Sequence, residues 1–208
     1  MLRIHEYRGF PNPTRIRIAL AEKGLLDNTE FINVNVLAGE NRRSEFLARN
    51  PTGTVPVLEL EDGTHISECT AITEYLDHLT GEPTLTGQGA RERAMIHMMH
   101  RRAEANLLDA VATYYHHATP GFGPELETYQ NREWGEKSRD KAVATMHYLD
   151  EVLANQPYVA GERFTMADIT VLAGLAYADY AKIDVPAGLT NLRNWRARTI
   201  RRPSVANA

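Results

Sequence analysis

The strongest constraint on this chain is a change of hydrophobic period near residue 80 of its 208. Before that point apolar residues recur at every second position, in short runs parted by turn formers. After it they recur at every third or fourth. Strands show side chains to alternate faces and helices return to one face every 3.6 residues, so the two parts require different architectures. Leu2 and Ile4 alternate with Arg3 and His5, which predicts a first strand. Asn12-Pro13 reads as a helix start, with Asn12 as N-cap and Pro13 at the first helical position. Ile16, Ala19 and Leu20 follow at helical spacing, and Gly24 closes the helix. Ile32, Val34 and Val36 alternate with Asn33 and Asn35, which predicts a second strand. Strand, helix and strand in succession make a βαβ unit with parallel pairing and a right-handed crossover.

Val55-Pro56-Val57-Leu58-Glu59-Leu60 predicts a third strand, Asp62-Gly63 a hairpin turn and Thr64-His65-Ile66 a fourth strand. A helix starting near Glu68 sets Ile72, Tyr75, Leu76 and Leu79 on one face. Residues 1–80 therefore read as an α/β domain of order βαβ-ββα. Residues 81–89, from Gly81 to Gly89, have linker composition. Residues 90–208 read as an all-helical domain. Its apolar faces are Leu107, Ala110, Val111 and Tyr114; Met146, Leu149 and Leu153; and Ile169, Leu172, Ala173 and Ala176. Thr165 and Asp168 stand at capping-box spacing before the last of these, a folding signal without a catalytic role.

Composition removes several classes of function. Hydrophobic residues at 43% supply a buried core, which excludes a disordered chain. No apolar run approaches the roughly 20 residues that cross a bilayer, so no membrane partner is expected. The first six residues alternate instead of forming an apolar signal core, so a cytoplasmic location is expected. Cys69 is the single cysteine, which excludes an intrachain disulfide, a Cys-x-x-Cys pair and a thiolate zinc cage. The net charge of −4 argues against nucleic acid. The basic run Arg193, Arg196, Arg198, Arg201 and Arg202 lacks a stacking platform and reads as a solvated helix face. The eight histidines follow no ligand spacing, and no metal site is expected.

Dinucleotide loops, phosphate loops and Gly-x-Ser-x-Gly elbows are absent. Three other segments carry chemical potential. Phe10-Pro11-Asn12-Pro13-Thr14-Arg15 leads into a helix whose N-terminus favours an anion. In Asn50-Pro51-Thr52-Gly53-Thr54-Val55-Pro56, a cis Val55-Pro56 bond would turn the Val55 N–H and C=O toward a ligand. Glu68-Cys69-Thr70-Ala71-Ile72 is a second helix start, with N–H groups for a carboxylate and Glu68 for an ammonium. Singly, each is a cap or a turn. Together they suit an extended zwitterionic peptide.

The run Asn50 through Leu58, with Asp62-Gly63-Thr64, Ile66, Glu68-Cys69, Ala71-Ile72 and Tyr75-Leu76, resembles the glutathione-binding domain of cytosolic glutathione S-transferases of bacterial type. Pro11 through Gly24 resembles the same family's first strand-to-helix loop. Phe164 through Ile169 resembles its C-domain capping motif, and Leu192-Arg193-Asn194-Trp195 through Arg202-Pro203 its usual ending. The resemblance keeps the family's motif order over nearly the whole chain.

What it implies is a thioredoxin-like N-terminal domain, an all-α C-terminal domain, a homodimer, and glutathione as co-substrate without a metal. Val55, beside Pro56, would pair with the cysteinyl backbone. Glu68 and the Cys69 N–H would hold the γ-glutamyl end, and Asn41 falls where some members contact the glycine carboxylate. Phe10 stands where many members carry the hydroxyl that bonds the thiolate. Asn12 would replace it as donor, with Tyr7 and Thr14 nearby. Cys69 at a helix start invites a redox reading, but the resemblance makes it a binding residue. A small hydrophobic electrophile would lie between the domains, near Tyr114, Tyr115 and His117. The expected activity is attack of glutathione thiolate on that electrophile. The alternatives are glutathione-dependent disulfide or peroxide reduction, and a non-catalytic binding or interaction module.

Overall fold

The computed structural model describes residues 1–208 in two compact units: Met1–Thr86 with Asn207–Ala208, and Gly87–Ala206. The first contains β1 (Leu2–Glu6), α1 (Pro11–Glu22), β2 (Thr29–Asn33), the one-turn helix α2 (Ser44–Leu47), β3 (Val57–Glu59), β4 (His65–Ser67) and α3 (Cys69–Leu79). The sheet order is β2-β1-β3-β4. β1 runs parallel to β2 and antiparallel to β3, and β3 is antiparallel to β4. Ile4 and Leu58 stand opposite each other and are fully buried, as are Ile16, Leu20, Ile72 and Leu76 of α1 and α3. Val57 points to the other face, in a small core with Val34 and Phe46 against which Val55 packs.

Three boundaries differ most from the sequence reading. β2 lies earlier than the alternation of Ile32, Val34 and Val36 predicts. Its pairing ends as the Val34 N–H donates to the Glu6 carbonyl at 2.7 Å, and Asn35 then accepts from the Ala38 N–H at 3.0 Å. That Asn side chain bonds its own backbone and bends the chain into a turn, which overrides the pattern. α1 starts at Pro11, so Phe10 is the N-cap residue and Asn12 lies inside the first turn, without a cap bond. Pro11 takes the first helical position, where proline's fixed φ is favourable and its missing N–H costs nothing. β3 begins after Pro56, which has no N–H to give a ladder.

The stretch that reads as linker is partly folded into the first unit. Asp77 of α3 is fully buried, and its carboxylate accepts from the N–H groups of Thr84, Leu85 and Thr86 and from the Thr86 hydroxyl, at 2.8 to 3.1 Å. Lys23 Nζ completes the set at 3.0 Å. Leu85 and Thr86 are buried as a result.

The second unit comprises α4 (Ala90–Ala103), a wide turn over Glu104–Leu108, α5 (Asp109–Ala118), α6 (Arg132–Leu153), α7 (Met166–Tyr180), α8 (Thr190–Thr199) and α9 (Pro203–Ala206). The wide turn loosens the helical ladder, and α6 supplies donors: Lys141 Nζ to the Ala105 carbonyl and Thr145 Oγ1 to the Asn106 carbonyl, each at 3.0 Å. α7 is central, with every residue from Met166 to Leu175 buried, although Ala176 of the predicted face is exposed. A Cβ on Gly174 would come within 2.8 Å of Leu107, so glycine permits that close packing. The capping box at Thr165 and Asp168 is present. Asp168 further accepts from the Val159 N–H at 2.9 Å and from Trp195 Nε1 at 3.2 Å. In the basic run, Arg196 pairs with Asp179, while Arg198 and Arg202 lie over the rings of Tyr158 and Phe164. No helix is long and apolar enough to cross a membrane.

Candidate functional site

Strand register gathers the three predicted segments at one end of the sheet. His5 pairs with Val57, and Val57 pairs with Ser67. The next steps along the strands are the loop from Glu6 into α1, the Val55-Pro56 segment and Glu68. Helices α1 and α3 both begin at this end, and neither carries an acidic residue in its first turn. Their positive dipole ends are thus left unneutralised from within the helices. The thiol of Cys69 joins the two starts, donating to the Asn12 carbonyl at 3.5 Å.

Asn12 is exposed, and its side-chain oxygen accepts from Nη1 of the buried Arg15 at 2.9 Å. With the oxygen held by Arg15, the amide N–H groups of this exposed side chain remain as donors. Phe10 packs edge-on against Tyr7, with ring centroids 4.7 Å apart. The Thr14 hydroxyl donates to the Phe10 carbonyl at 3.0 Å and so has no proton left for a ligand. Asn12 and Tyr7 are the remaining side-chain donors among the residues the sequence singles out here.

The Val55-Pro56 bond is cis, and Val55 takes no part in the backbone hydrogen bonds of the sheet or its turns. Its loop is shaped by a residue that sequence reasoning missed. Asn50 is fully buried. Its amide donates to the Thr54 carbonyl at 2.8 Å, and its oxygen accepts from the Thr52 N–H at 3.2 Å and the Thr52 hydroxyl at 2.9 Å. Asn followed by Pro and a Thr is a turn signal, and that was the available clue. Asn41 reaches the same loop, donating to the Gly53 carbonyl at 2.7 Å. One of its two amide hydrogens is therefore spent on the loop. Gly53 has φ +65°, and a Cβ there would lie 3.0 Å from the Asn41 carbonyl oxygen.

Glu68 caps α3 with φ 69°, a backbone region that non-glycine residues seldom occupy. Its carboxylate is exposed and forms no ion pair. Strained residues of this kind collect at ligand clamps. Cys69 is buried, and its sulfur faces the α1 start.

The helical residues expected to line a co-substrate pocket are largely engaged within their own unit. Tyr115 is buried among Phe122, His116, Tyr177 and Tyr180, and its hydroxyl donates to the Gly121 carbonyl at 2.9 Å. Burial pushes the phenols of Tyr115 and Tyr177 above their usual range, so both stay neutral. Tyr114 lies under the Arg139 guanidinium, and His117 Nδ1 accepts from the Asn131 N–H at 3.1 Å. His116 Nδ1 meets Glu127 at 2.7 Å, while its Nε2 is 3.4 Å from the Tyr177 hydroxyl.

A four-stranded β2-β1-β3-β4 sheet of thioredoxin-like βαβ-ββα order, followed by a helical unit, defines a class of two-unit proteins with a thioredoxin-like first unit and an all-helical second. Comparison with known proteins is more specific. Residues 11–79 match the family described as glutathione S-transferase, N-terminal domain, and residues 103–203 match glutathione S-transferase, C-terminal domain. The chain is 57% identical over 202 residues to glutathione S-transferase 2 of Saccharomyces cerevisiae, covering 97% of this chain and 87% of the relative. The crystal structure of Gtt2 from the same yeast superposes with a TM-score of 0.97 at 56% identity, over 99% of each chain. A glutathione S-transferase domain-containing protein of Marinobacter aquaeolei superposes with a TM-score of 0.96 at 55% identity, over 98% of this chain and 99% of that one. The chain belongs to the glutathione S-transferase family.

Proposed function

We propose that this chain binds glutathione as co-substrate at the sheet end described above and directs its thiolate at a small hydrophobic electrophile. The observation that carries this reading is the meeting of two helix starts with the unbonded backbone of Val55. Val55 pairs with the cysteinyl segment, adjoining Pro56. Glu68 takes the γ-glutamyl ammonium, and the N–H groups of the α3 start, Cys69 included, take its carboxylate. Asn41 acts through the loop it holds at Gly53, and through its second amide hydrogen toward the glycine end.

A free thiol near pKa 8.5 is only a few per cent ionised at pH 7. Lowering it by about two units takes roughly 2.7 kcal/mol of preferential thiolate stabilisation. The α1 dipole and the amide N–H groups of Asn12 supply that without the hydroxyl that Phe10 lacks. Tyr7 is the second donor. Glutathione must arrive as a thiol, which a reducing cytoplasm provides.

Asn12→Ala should move the pH profile of kcat/KM for a chloronitroaromatic to higher pH, and Tyr7→Phe should move it less. A profile unmoved by Asn12→Ala removes that residue from thiol activation. Faster turnover of a model disulfide than of the aromatic would reassign the chain to disulfide reduction, and glutathione binding without turnover of either would make it a binding module.

A further inference from the structure

A second group of side chains lies apart from the thiol site. Arg3 pairs with Glu59, His5 with Val57, and Glu59 with His65. Paired residues share a sheet face, as do residues two apart on one strand. The register therefore brings His5 of β1, Glu59 of β3 and His65 of β4 onto one face across three neighbouring strands. His5 Nε2 lies 2.7 Å from Glu59 Oε2, and His65 Nε2 lies 3.7 Å from the same oxygen. One ligand atom from each residue lies within 4.8 Å of the other two. The His5 ring is buried, and the side chains of Glu59 and His65 are 17% and 25% exposed. His65 Nε2 is itself buried and makes no hydrogen bond.

We propose that His5, Glu59 and His65 form a binding site for a divalent transition-metal ion of the zinc type. Two imidazoles and a carboxylate suit zinc, copper and nickel better than calcium or magnesium. Zinc bonds of about 2.0–2.1 Å in tetrahedral geometry put ligand atoms roughly 3.3 Å apart. The His5 contact, now 2.7 Å, must open by about 0.6 Å, and the His65 contact, now 3.7 Å, must close by about 0.4 Å. Arg3 Nη1 donates to the other Glu59 oxygen, Oε1, at 2.7 Å. That bond orients Oε2 toward the histidines, as outer-shell partners do at metal sites. The Arg3 charge is shared with Glu30 at 3.1 Å. The bound ion would clamp β1, β3 and β4 together. His5 and Glu59 are 54 positions apart, which is why no spacing motif announces the site.

The test is titration of Zn²⁺ alone into the metal-free full chain by calorimetry. One saturable site per chain is expected, weakened more than roughly tenfold by His65→Gln and unchanged by His78→Gln, which lies outside the cluster. Should His65→Gln fail to fold, Cu²⁺ bound to the unaltered chain gives a second reading, with two-nitrogen superhyperfine structure expected in its electron paramagnetic resonance spectrum. No saturable Zn²⁺ uptake, uptake indifferent to His65→Gln, or a Cu²⁺ spectrum without nitrogen coupling overturns the proposal.

Discussion

At the scale of single residues, the proposed binding residues and the residues that support them differ in how readily sequence reveals them. Glu68, Val55, Pro56 and Cys69 fall within a contiguous motif and a contiguous stretch of chain, so their position at one sheet end was legible. The supporting roles were not. Asn50 reads as a turn residue, yet it ties together the Thr52 and Thr54 sides of the loop from a fully buried position. Asn12 reads as a cap, but Pro11 at the first helical position moves the cap to Phe10 and frees the Asn12 side-chain oxygen to accept from Arg15. Asn50→Ala leaves buried loop groups unpaired, each worth about 1–3 kcal/mol. Urea unfolding should therefore show a loss of about 2 kcal/mol or more, with glutathione KM raised more than kcat is lowered. A variant as stable as the parent would mean that the loop holds its shape without Asn50.

At the scale of elements, periodicity identified the helices and most strands, and failed where a side chain outbid the backbone. Val34 and Val36 continue the alternation of β2, but Asn35 accepts from Ala38 and folds the chain into a turn. Likewise, residues 84–86 carry linker composition, and only the buried carboxylate of Asp77 makes them part of a folded unit. Burial raises the Asp77 pKa, but the Thr86 hydroxyl and N–H, Lys23 and the Thr84 N–H outweigh it, and the net effect lowers it from the usual aspartate range. A carboxyl whose folded pKa is depressed stabilises the fold above its unfolded pKa and loses that contribution as pH falls through the folded value. The stability gap between the parent and Asp77→Asn should be constant above about pH 4 and narrow below it. Denaturant midpoints measured from pH 7 to pH 3 check this, and a gap independent of pH would mean that Asp77 is not ionised in the fold.

For the whole molecule, family membership and fold were accessible from the order of motifs, while the histidine and carboxylate cluster needed the sheet register to bring distant positions together. Assembly belongs to this scale too. Glutathione S-transferases are generally dimeric, and we expect a homodimer here. Sedimentation equilibrium should return twice the 23.4 kDa chain mass, and a single 23.4 kDa species at micromolar concentration would exclude it. The Asp77 knot has a practical consequence at the same scale. An N-terminal fragment ending at residue 80 would strip that carboxylate of all its donors except Lys23, whereas one continued through Thr86 would keep them. The natural place to sever the polypeptide is thus late in its glycine- and proline-bearing stretch, between Thr86 and Gly87, and not at the start of that stretch.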